Sequence, residues 1–167
     1  MLVKLRITIV IAFLLFAADA FFLNQFLVVL LTIFIGTPVF LVKLVLSRKD
    51  RERRGILLAK AGIYLGMIIL IVAAFFANNA VAERRAQTII AACERYRAKT
   101  GGYPEQLSQL VPEYLAAIPL AKPLVWLGGP FMYMARPGDH GLSYVTVPPY
   151  GRRCYLLEQK KWQSFHD

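Results

Sequence analysis

The run from Ile56 to Ala77 is 22 residues of apolar chain with one charge, Lys60. It passes directly into an amphipathic pattern over Ala80–Thr100. A helix of that first length crosses a hydrocarbon core of about 30 Å. No proline follows Gly55 until Pro104. The stretch is therefore expected to form one long helix, first in lipid and then in water. It should stop at Thr100-Gly101-Gly102-Tyr103-Pro104, where glycine admits positive φ and proline forbids continuation.

Leu5–Leu46 is a second apolar run, about 42 residues long. As one helix it would measure about 63 Å, twice the membrane core, so it must turn. A hairpin of two spans turning at Asn24-Gln25 is the preferred arrangement, because Phe26–Leu46 is long enough to span alone. The alternative is one span and an interfacial piece, broken near Gly36-Thr37-Pro38. Ala18-Asp19-Ala20 resembles a signal cleavage site, but Asp19 sits in its middle and the apolar run resumes at once. Asp19 is the one acid within an apolar span. It is expected near the Asn24-Gln25 turn, within reach of interfacial water; a proton or ion site is the competing reading.

Charge sets the orientation. Seven basic residues lie between Lys43 and Lys60, whereas only Arg84 and Arg85 follow closely after the span. The excess of basic residues places that segment in the cytoplasm and the C-terminal portion across the membrane. The net charge of +10 thus reflects topology and anionic headgroups. Nucleic-acid binding is not expected, since the C-terminal portion shows no basic stripe.

From residue 80 the chain reads as a small α+β domain. Ala82, Ala86, Ile89, Cys93 and Tyr96 form one apolar helical stripe, with Glu83, Arg84, Gln87, Glu94 and Arg97 on other faces. Glu105–Pro112 predicts a short helical turn. Phe131–Arg136, Leu142–Val147 and Arg152–Glu158 read as strands, joined by turns at 137–141 and 148–151, with Trp162–Phe165 as a short edge strand. Short connections favour an antiparallel meander of three or four strands packed on the stripe.

Tyr96-Arg97-Ala98-Lys99-Thr100-Gly101-Gly102-Tyr103-Pro104, then Leu107 and Leu110-Val111-Pro112, placed between a membrane-entering helix and a small meander, resembles the type IV pilin fold. It is closest to the type II secretion major pseudopilin. The resemblance covers about residues 56–158, with motif-level similarity over Tyr96–Pro119. It implies a pilin-like extracytoplasmic domain at the bacterial inner membrane, linked to secretion or pilus-type machinery. Lys60 stands where those families have glutamate after the leader cleavage site at Gly55, and an apolar run precedes that site. Processing by a leader peptidase is therefore not expected. The family's calcium loop is not expected either: Asp139, Glu158 and Asp167 are widely spaced, and calcium needs clustered oxygens.

Residues able to carry chemistry are few. Cys93 on the helix stripe and Cys154 in a strand, both extracytoplasmic, are candidates for a disulfide; two buried thiols in different pockets are the alternative. Asp139, His140 and Ser143 lie close in sequence without the geometry of an oriented base, and His166 lies at the end of the chain. Tyr103, Tyr114, Phe131, Tyr133, Tyr144, Tyr155 and Trp162 are expected to form the core and its rim. Arg152-Arg153 and Lys160-Lys161 are expected to face solvent or blunt sheet edges.

The reading is an α+β membrane protein: a membrane hairpin and basic loop over 1–54, a transmembrane helix over 55–79, and a pilin-like domain over 80–167. No catalytic, cofactor or metal site is expected. Its partners are the lipid bilayer and an unidentified membrane or envelope protein, with self-association among the options. An accessory subunit of a membrane enzyme or transporter is the second hypothesis.

Overall fold

Asp50 starts the longest element of the fold. Its carboxylate accepts the Arg53 backbone N–H at 3.0 Å, which satisfies an otherwise orphaned helix donor. Helix α4 then runs through 50 residues, Arg51–Thr100. It begins before the expected Gly55: Arg51–Arg54 form its first turn, not a loop. At the other end Gly101 takes φ of +86°, and its N–H closes on Arg97 O at 2.8 Å, a left-handed helix stop that glycine makes without steric cost.

The computed structural model describes residues 2–23, 27–122, 129–147 and 151–166. Two compact units meet between Phe76 and Ala77, so α4 contributes to each.

In the first unit, α1 (Leu2–Ala17) continues as a π-helical segment, Ala18–Leu23. The expected turn at Asn24-Gln25 lies outside the described residues. Helices α2 (Leu27–Leu31) and α3 (Thr37–Leu46) are joined by a π-helical segment, Thr32–Gly36. The chain therefore does not break at Gly36-Thr37-Pro38. Proline lacks an N–H and crowds the preceding turn; the wider π turn, with Thr37 N–H bonded to Thr32 O, accommodates it. Leu27–Leu46 and α4 are each long and apolar enough to cross a membrane. Ala12, Val28, Met67 and Ile71 form a small core with Leu15, Phe16, Ile63 and Tyr64. Outside it, Phe13, Phe34, Val42, Leu65 and Ile69 lie exposed.

In the second unit, the segment after α4 includes a 3-10 turn at Leu107–Leu110. The sheet follows as β1 (Met132–Arg136), β2 (Asp139–Val147), β3 (Gly151–Leu156) and β4 (Lys161–His166). It is an antiparallel meander ordered β1-β2-β3-β4. The first turn is shorter than expected, because β2 already starts at Asp139; Gly138, with φ of +76°, makes the tight reversal. The expected α+β arrangement of a long apolar helix and a small antiparallel sheet is thus present, with four strands. Ala82, Ala86, Ile89 and Cys93 are fully buried against Leu142, Tyr144, Leu110 and Leu157. Tyr96, Tyr103, Tyr114, Phe131, Tyr133, Tyr155 and Trp162 pack around them, so the aromatic residues form core and rim.

Candidate functional site

The register divides the sheet into two chemically different faces. Tyr133 pairs with Leu142, Leu142 with Tyr155, and Tyr155 with Trp162. These side chains belong to the core shared with α4. One residue along, the period of two turns every side chain to the other face. Met134, Gly141, Ser143, Cys154, Leu156, Gln163 and Phe165 line a groove of about 720 Å³ there, edged by Asp139 and Arg152. Its floor is sheltered: Cys154 and Leu156 are each 9% exposed, whereas Phe165 is 45% exposed. Gly141 lies in the floor, where a Cβ would come within 3.1 Å of Cys154 Sγ.

The same alternation decides the cysteines. Cys93 lies in the core between helix and sheet, while Cys154 lines the groove on the opposite face. Both are free thiols, so the candidate disulfide is not formed: a sheet's thickness of backbone separates the two side chains. Burial and the neighbouring Glu94 carboxylate push the Cys93 thiol up to about 12. Burial also raises Cys154, with help from Asp139. Neither thiol is activated, since the thiolate is the reactive form.

The Asp139, His140 and Ser143 grouping is dispersed by the same geometry. His140 lies on the helix-facing side, where its Nδ1 pairs with Glu158 Oε1 at 2.6 Å. Its backbone N–H also donates to Glu158 Oε2 at 2.8 Å. Asp139 and Ser143 line the other face. The Glu158 carboxylate is raised by burial but, on balance, lowered by these His140 hydrogen bonds. Among the described residues no three His, Cys, Asp or Glu side chains gather as a metal site would require. His166 ends β4.

The Tyr-Pro segment after α4 is a clasp. Tyr103 hydroxyl accepts from Arg97 at 3.0 Å and faces two acceptors, Glu94 Oε1 at 2.8 Å and Leu157 O at 3.1 Å. Tyr133 hydroxyl donates to Pro104 O at 2.8 Å. Helix end, loop and sheet are thereby tied at one corner.

Three contacts were not legible in the pattern of charges. Arg153, expected in solvent, reaches Glu83 at 3.0 Å and lies 4.8 Å over the Trp162 ring. Lys122 is fully buried, and its ammonium donates to Thr146 O at 2.8 Å. Burial lowers it from 10.5 to about 8. Asp19 is 1% exposed rather than reached by interfacial water. Its carboxylate accepts the Val28 N–H at 2.9 Å, which caps the start of α2. For Glu83 and Arg153, 70 residues apart, no local sequence signal exists. Asp19 lies nine residues before Val28, too far for the local capping signal, which sits immediately before a helix.

Comparison with protein-family models, with curated proteins and with solved structures finds no match.

Proposed function

We propose that this chain is a non-enzymatic, membrane-anchored protein that presents a pilin-like domain for protein–protein contact in the cell envelope. The face of the sheet turned away from α4 carries the reading. Its sheltered apolar floor of Met134, Cys154 and Leu156, with exposed Phe165 at the edge, suits a partner surface better than bulk water. The clasp and the commitment of His140 to Glu158 support a structural use of the polar residues. The wide apolar surface of the first unit supports insertion in the bacterial inner membrane with several spans. The charge bias supports a periplasmic C-terminal domain, and the Tyr96–Pro112 pattern supports the pilin-like comparison and a link to secretion or pilus-type machinery.

The test is photo-crosslinking of the full chain in cells. A crosslinking residue at Gln163, on the open face, is expected to give a discrete adduct, and Phe165→Asp should abolish it. The same residue at exposed Glu105 serves as control. Adducts absent from Gln163 but present along Ile56–Ala77, and lost on deletion of residues 1–46, would instead favour the accessory-subunit reading.

A further inference from the structure

In the first unit, two neighbouring cavities share a basic mouth. One, of about 660 Å³, lies between the Leu27–Leu46 helical stretch and α4, with an apolar lining that includes Phe40, Tyr64 and Ile68. The other, of about 330 Å³, is lined by Ser47 and Arg53 among others. Lys43, Leu57 and Lys60 line both. Arg53 already pairs with Asp50 at 3.3 Å. Among the described residues, neither Lys43 nor Lys60 meets a carboxylate. Two unneutralised ammonium groups thus stand where an apolar groove opens toward the basic Lys43–Lys60 segment.

We infer that this groove is a site for an anionic phospholipid, with its headgroup phosphate at Lys43 and Lys60 and an acyl chain between Phe40 and Ile68. The inference rests on the membrane reading above. Three observations converge on it. The charge is complementary, and basic pockets between membrane helices suit anionic headgroups. The sequence of surfaces, cationic mouth then apolar cleft, matches the order of headgroup and tail. The size is also compatible: an extended acyl chain is slender enough to lie in a cleft of about 660 Å³. Lys60 is then explained as a ligand of lipid at the edge of a span, its stem lying along apolar surface with the ammonium at the headgroup level.

The test places the full chain in phosphatidylcholine nanodiscs doped with acyl-spin-labelled phosphatidylglycerol or, separately, equally labelled phosphatidylcholine. The motionally restricted fraction is read for each. Phosphatidylglycerol is expected to be held about fivefold or more over phosphatidylcholine. The Lys43→Gln/Lys60→Gln variant should bring the two near parity with helicity unchanged. Ala61→Phe, which fills the groove from α4, should lower the restricted phosphatidylglycerol while leaving both lysines in place. Equal restriction of the two lipids by the native chain would overturn the site, as would a preference that survives both variants. A native chain that runs as a dimer in phosphatidylcholine alone, with no lipid preference, would assign the cleft to a second copy and also overturn it. A chain that fails to enter nanodiscs would sink the membrane reading itself.

Discussion

Through one hydroxyl, Tyr103 ties the end of α4, at Arg97 and Glu94, to the Leu157 carbonyl beyond the sheet's third strand. Tyr103→Phe keeps the ring and removes those bonds, so the full chain in detergent should lose about 1–2 kcal/mol in thermal or denaturant unfolding. An unchanged midpoint would mean that water replaces the clasp. Lys122 makes a different prediction, because its charge is buried. Its folded value, about 8, lies below the ordinary 10.5. The unfolded chain therefore binds the extra proton between those values, and stability rises as pH climbs from about 8 toward 10.5. Against Lys122→Met, the native chain should gain about 2 kcal/mol between pH 7 and pH 10. The high-pH titration of Cys93 is common to both proteins and cancels. A stability difference independent of pH would show that Lys122 is hydrated. Glu158 works at the other end: its lowered carboxylate contributes stability that is present above 4.5 and lost as pH falls through the lower folded value.

The sheet's register is the property of an element, and it is what separates Cys93 from Cys154. Gly141 tests it. An alanine there would put its Cβ 3.1 Å from Cys154 Sγ and 3.5 Å from Met134 Cε. Gly141→Ala should cost about 1 kcal/mol through overpacking, and less in a Cys154→Ala background; the double-mutant cycle reads that coupling. A zero coupling energy would move Cys154 off this face. How much could be read in advance differs between elements. Ala82, Ala86, Ile89 and Cys93 announced the buried side of α4, because a helix buries residues at a spacing set by its own geometry. The strands announced their existence and order through turn residues. Which of Cys154 and Tyr155 turns inward was not legible, since both are apolar enough for either face. The pairing of Leu142 with Tyr155 settles it.

At the scale of the whole molecule, the proposed orientation across the membrane rests on the distribution of charge. On the proposed topology, alkaline phosphatase fused after Asp167 should be active in cells and a green fluorescent reporter at the same place dark. Neutralising Arg48, Lys49, Arg51 and Arg54 should lower the phosphatase signal by weakening the positive-inside bias. Full phosphatase activity in that variant would show that other determinants set the orientation. Composition, length and period suffice for the long helix, its glycine stop and an antiparallel meander of three or four strands, because each depends on interactions within a few residues of chain. The tertiary structure alone decided that Cys93 and Cys154 lie on opposite sides of the sheet, that Arg153 leaves solvent for Glu83, and that Lys43 and Lys60 share a cavity mouth. Those outcomes depend on which surfaces meet across many residues of chain, and local patterns carry no record of that.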